Sequence, residues 1–117
     1  MLYDVRQSVM DALDACQKIQ EITQGLTFET YQQNFRDRLA VERLFEILGE
    51  AFNRVDDADP SFRDKCLPEM GDVIGMRNRV IHGYDAVSDE IIWLAVTTRV
   101  PPLTDKLAAW LNGTTAK

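Results

Sequence analysis

Apolar residues recur at intervals of three and four along almost the whole chain, and nowhere does the sequence alternate apolar with polar as a half-buried strand must. That spacing gathers side chains on one face only in a helix, so the fold class it predicts is all-α. In the first segment Leu2, Val5, Val9, Ala12, Leu13, Cys16, Ile19 and Ile22 keep the rhythm, and Gly25 supplies a stop. Thr27 reads as the cap of a second helix with Glu29 in its first turn. This helix is expected to run to about Val55 on a stripe of Tyr31, Phe35, Leu39, Val41, Leu44, Phe45, Leu48, Ala51, Phe52 and Val55. Asp56 to Asp59 break the pattern, and Asp59-Pro60 reads as a cap with proline at the first position of a short helix reaching about Cys66. After Pro68 a further helix is expected over roughly 72–82, ended by Gly83. The last begins near Ser88, with Asp89 and Glu90 placed favourably against its dipole, and buries Ile91, Ile92, Leu94 and Ala95. Pro101 and Pro102 should bend or interrupt it before Leu103, Leu107, Trp110 and Leu111 resume the stripe. The sum is an antiparallel helical bundle of four to five helices, one domain over 1–112 with a frayed tail at 113–117.

A chain of 117 residues, 45% hydrophobic and 27% charged, can bury one core without staples. Cys16 and Cys66 have neither the spacing of a zinc site nor that of a redox motif, and read as buried or partly buried free thiols of a reducing cytoplasm. Asp4, Asp11 and Asp14 interrupt the first apolar pattern, and no basic region precedes an apolar run, so neither secretion nor membrane insertion is expected. A net charge of −6 argues against general nucleic-acid binding, which relies on lysine and arginine neutralising phosphates. Any RNA must be held locally, and the same acidic body suits a partner protein with a basic face.

The local basic feature is Met76-Arg77-Asn78-Arg79-Val80-Ile81-His82-Gly83-Tyr84, which holds the only histidine. Arginine offers a fixed fork of donors for phosphate oxygens, and histidine exchanges protons near neutrality. RNA cleavage without a metal needs both functions. The 2'-hydroxyl must lose a proton, the leaving 5'-oxygen must gain one, and charge growing on the phosphorane must meet positive donors.

This stretch resembles the motif of HepT-like toxins in the HEPN superfamily of ribonucleases: Arg, any four residues, His, any residue, Tyr. Ala40 to Ala51, with its Gly49-Glu50-Ala51 ending, is similar to that family's long second helix, and Ile91-Ile92-Trp93 and Pro102-Leu103 fall where its last-helix positions lie. The resemblance thus spans nearly the whole chain. One departure is Met70, where the family commonly has tryptophan, read as a change of packing. The resemblance implies a HEPN-like, homodimeric bundle with a composite site: a metal-independent endoribonuclease needing no cofactor, giving a 2',3'-cyclic phosphate. It implies Arg77 and His82 as the catalytic pair, the first on the scissile phosphate and the second in proton transfer. It further implies the toxin half of a toxin–antitoxin pair, whose cognate minimal nucleotidyltransferase antitoxin adenylylates Tyr84 and blocks the nuclease.

Each residue also has a plainer reading. His82 alone would be a structural histidine on a backbone carbonyl, Arg77 an ion-pairing residue, Tyr84 an amphipathic anchor. Asn78 shares a helix face with His82 and either orients its ring, touches RNA or is a surface amide; Arg79 supports RNA binding or is simply solvated. On an ideal helix Arg77 and His82 stand about 140° apart, which a single chain relieves only if the helix loosens near Gly83, and a dimer by pairing two such helices. Glu42, Glu46 and Glu50 fall on successive turns and read as an ion-paired edge beside Arg43 and Arg54, and Asp56, Asp57 and Asp59 lack calcium-loop spacing, so no metal is expected. The rival to catalysis is a helical module of the same fold that holds a nucleotide or a nucleotidyltransferase partner.

Overall fold

The structure, a computed structural model, describes residues 2–82 and 88–115, with side chains described for 5–76 and 88–113. Among these residues the regular structure is all helical, with no strand: α1 (Leu2–Thr23), α2 (Phe28–Gln33), α3 (Phe35–Ala58), α4 (Phe62–Cys66), α5 (Met70–His82), α6 (Asp89–Thr98) and α7 (Val100–Thr115). α3 packs along α1 on one side and α5 on another, and α7 closes the far side of α1.

Helix boundaries follow local chemistry. Gly25 takes a φ of 79°, the left-handed conformation that ends α1 without a Cβ clash. Thr27 caps α2: its hydroxyl accepts from the Thr30 N–H at 3.1 Å, while the Thr30 hydroxyl accepts from the Thr27 N–H at 2.8 Å. Ser88 does the same for α6, accepting from the Ile91 N–H at 3.2 Å.

The single helix expected from Thr27 to Val55 is two. Asn34 leaves the helical conformation (φ −97°, ψ 93°), ends α2, and accepts from the Asp37 N–H at 3.0 Å to start α3. Its amide thereby supplies the bond that a continuing helix would otherwise make from backbone. The break turns the stripe: Tyr31 is fully buried, whereas Phe35 and Leu39, expected in the core, are 63% and 50% exposed. The short helix begins at Phe62, not at Pro60, because the Asp59 carboxylate closes a turn over the Ser61 N–H and hydroxyl. α6 stops at Thr98, and Pro101 and Pro102 sit in the first turn of α7, where no N–H is required of them. These breaks raise the expected four to five helices to the seven described. α7 carries into 113–117 as far as Thr115.

The core is Val9, Ile19, Phe45, Leu48, Phe52, Ile92, Leu103 and their neighbours, all nearly inaccessible to water. Met70, standing where a tryptophan was the alternative, is fully buried. Ion pairs lace the rim: Arg54 reaches both Asp11 and Glu50 at 3.4 Å, tying α1 to α3. Cys16 is buried with its thiol pushed up to about 12 by burial, whereas Cys66, expected to be at least partly buried, is exposed. Among the described residues no helix is long and apolar enough to cross a membrane.

Candidate active site around the motif helix

α5 is held at its start. Met70 and Val73 enter the core, Asp72 accepts from Arg99 at 2.6 Å, and Glu69 is bonded by Lys106 of α7. The Arg63 guanidinium from α4 lies over Gly71, where a Cβ would stand 3.3 Å from it, while Arg63 itself is paired with Asp56 of α3. From this anchored end α5 continues unbroken to His82. Arg77, Asn78, Arg79 and His82 therefore all fall on its last turns, and the helix does not loosen before the histidine. The separation of about 140° between Arg77 and His82 accordingly stands, with Asn78 one turn before His82. Tyr84 lies outside the described residues.

A groove of about 330 Å³ runs beside α5, lined by Gly71, Gly75 and Met76 on one wall and Ile91 and Leu94 of α6 on the other. Ile91 and Leu94, which the apolar pattern places in the core, are 44% and 60% exposed; Ile92 and Ala95 are buried as expected, and Val96 joins them. α6 is apolar almost all round, so one face packs inward while another is left bare. Phe35 and Leu39 add to the exposed apolar surface on the first turns of α3. Those turns are held to α6 by a bond from Arg38 to Asp89 at 3.3 Å.

That bond belongs to a polar cluster which sequence reasoning missed. Arg38 and Glu42 of α3, Asp89 of α6 and Tyr31 of α2 share one partly buried seam. Burial first, then the neighbouring Asp89 charge, push the Glu42 carboxyl up from the ordinary carboxylate range. Burial likewise pushes up the Tyr31 phenol, which stays neutral and whose hydroxyl has no hydrogen-bond partner among the described residues. The only trace in the sequence is the four-residue step from Arg38 to Glu42; Asp89 arrives from half a chain away. Of the supposed carboxylate edge, Glu46 and Glu50 are indeed ion-paired, with Arg43 at 3.2 Å and Arg54 at 3.4 Å, but Glu42 turns inward.

Residues 12–109 match the family described as Ribonuclease HepT-like. Two proteins of Methanocaldococcus jannaschii that carry the name "Putative RNase" are similar to the chain. One is 29% identical over 102 residues, covering 86% of this chain and 90% of the relative. The other is 31% identical over 100 residues, covering 84% and 79%. A Thermococcus cleftensis protein named "Probable ribonuclease HepT" is 30% identical over 98 residues, covering 82% of this chain and 86% of the relative. No solved structure matches the chain.

Proposed function

The chain belongs to the HepT-like ribonuclease family, and from that premise we propose that it is a metal-independent endoribonuclease. The observation that carries the reading is the placing of Arg77, Asn78, Arg79 and His82 on the last turns of one unbroken helix, within a family match that covers most of the chain. Arg77 grips the scissile phosphate and meets the charge that develops on it. His82 serves in proton transfer, removing the 2'-hydroxyl proton or protonating the leaving 5'-oxygen, so that the products are a 2',3'-cyclic phosphate and a 5'-hydroxyl. Asn78 and Arg79 support the bound strand.

One helix cannot aim both groups at one phosphate across about 140°, and a twofold pairing of two α5 helices can, with the phosphate taken by one protomer's arginine beside the other's histidine. The bare Ile91 and Leu94 beside α5 favour such a homodimer, since an exposed apolar patch flanking a site is the usual mark of association. The chain then acts as the toxin of a toxin–antitoxin pair. Adenylylation of Tyr84 by a cognate minimal nucleotidyltransferase antitoxin would set a nucleotide and its negative charge two residues from His82, where it competes with RNA.

Incubating purified protein with RNA in excess EDTA tests the reading. Cleavage by the wild type that disappears in a folded His82→Ala variant is the expected result. Cleavage undiminished in that variant contradicts the role given to His82, whereas no cleavage by a wild type whose intact mass shows no adenylylation favours the non-catalytic binding module.

A further inference from the structure

Helix α6 separates two grooves. Ile91, Leu94 and Ala95 line the one beside α5, whereas Trp93, Val96 and Thr97, on the other side of α6, line a second of about 520 Å³ against α1. The twofold pairing proposed above covers the first and leaves the second open. The opposite wall of this second groove is the end of α1, where Gln17, Gln20, Glu21 and Gln24 recur three and four residues apart and all line it.

The walls are held in place. Trp93 is half-buried, and its ring is backed by that of Tyr31, with the centroids 5.1 Å apart. Gln20 accepts from the Thr104 hydroxyl of α7 at 3.1 Å. Glu21 is exposed and is the one charged side chain among the described residues that line the groove. Lys18 feels Glu21 but is bonded to Asp14 at 2.9 Å and stands outside the lining.

The lining therefore offers a large aromatic surface, several amides and one negative charge. A phosphate-bearing strand is repelled by it, since affinity for nucleic acid comes from lysine and arginine. A purely apolar segment would strip water from Glu21 without returning a counter-charge. The chemistry that matches is a planar cation, because a guanidinium stacks on an indole and forks onto a carboxylate.

We propose that the groove between α1 and α6 docks an arginine carried on an extended basic segment of a partner protein. The guanidinium lies against Trp93 and donates to the Glu21 carboxylate. Gln17 and Gln24, one turn to either side of Glu21, exchange hydrogen bonds with the backbone of the segment. The chain's net charge of −6 draws such a segment in from solution.

The probe is the capped peptide acetyl-Gly-Arg-Gly-Arg-Gly-amide, followed through the indole N–H signals of ¹⁵N-labelled protein. The chain has two tryptophans, and the second is an internal control: Trp110 packs on Phe62 with ring centroids 5.3 Å apart and does not line the groove. The Trp93 signal should move saturably at about millimolar peptide while Trp110 stays still. Citrulline in place of arginine keeps the shape, removes the charge and should weaken binding at least about tenfold. Glu21→Gln, a change at an exposed position that leaves the fold intact, should weaken it about fivefold, and Asp57→Asn, at an exposed carboxylate of α3 outside the groove, should leave it unchanged. Equal affinity for the citrulline peptide, undiminished binding in Glu21→Gln, or a Trp93 signal that stays still at about ten millimolar peptide overturns the proposal. An oligouridylate that moves the Trp93 signal at lower concentration than the peptide also overturns it, making the groove a channel for a strand. None of these readouts depends on RNA cleavage, so docking and the nuclease reading stand or fall separately.

Discussion

The rings of Tyr31 and Trp93 stand 5.1 Å apart at an interplanar angle of 32°, a contact that fastens the short helix α2 against α6. The tyrosine is fully buried and its hydroxyl has no hydrogen-bond partner among the described residues. A buried donor without an acceptor loses the free energy of its lost hydration, so removing it is neutral or helpful. Tyr31→Phe should unfold in urea at the same or a higher midpoint, with a gain of up to about 1–2 kcal/mol, while Tyr31→Ala should lose about 3–5 kcal/mol. A clear loss in Tyr31→Phe would mean that the hydroxyl is bonded after all.

Asn34 ends one helix and starts the next, accepting from the Asp37 N–H at 3.0 Å. Asn34→Ala should reduce unfolding free energy by about 1 kcal/mol, and Asn34→Gly by only a few tenths. Chemical denaturation followed by circular dichroism checks the ranking; an alanine variant as stable as wild type would show that α2 and α3 do not need the cap.

That break marks where the sequence stopped being legible. Tyr31, Phe35 and Leu39 follow one another at four-residue steps, so the apolar phase runs straight through Asn34 and describes one helix. Only the capping bond separates the two readings, and periodicity carries no record of it. Similarly α6 is apolar on nearly every face, and a stripe that is everywhere cannot say that Ile92 faces the core while Leu94 faces water. What needs only neighbours along the chain was readable: the stop at Gly25, the Thr27 cap, a helix start near Ser88, a break near Pro101 and Pro102, and the placing of the motif on one helix. The Glu42 seam was not, because its meaning depends on Asp89, which folding alone brings to Arg38.

Burial pushes the Cys16 thiol up to about 12, whereas Cys66 is exposed. The thiolate is the reacting species, and raising the pKa keeps Cys16 protonated throughout the range in which proteins are usually handled. In native protein at pH 8, iodoacetamide should modify Cys66 alone, with Cys16 joining only in denaturant. Peptide mass mapping distinguishes the outcomes, and equal rates at both sites would contradict the burial of Cys16.

The bare Ile91 and Leu94 beside the motif helix should be covered in a dimer. Leu94→Glu sets a charge into that apolar contact and should shift the protein to monomer in sedimentation at micromolar concentration, with RNA cleavage falling at least tenfold. A wild type that sediments as a monomer yet cleaves RNA would remove the composite site.

The chemistry of the cut ends tests the central claim most directly. A defined oligoribonucleotide is cleaved in excess EDTA, and the fragments are weighed by mass spectrometry. Attack by the 2'-hydroxyl, with His82 in proton transfer, requires 2',3'-cyclic phosphate on one fragment and a 5'-hydroxyl on the other, both lost in His82→Ala. Fragments ending in 3'-hydroxyl and 5'-phosphate, or cleavage that appears only when a divalent metal is restored, would contradict the mechanism.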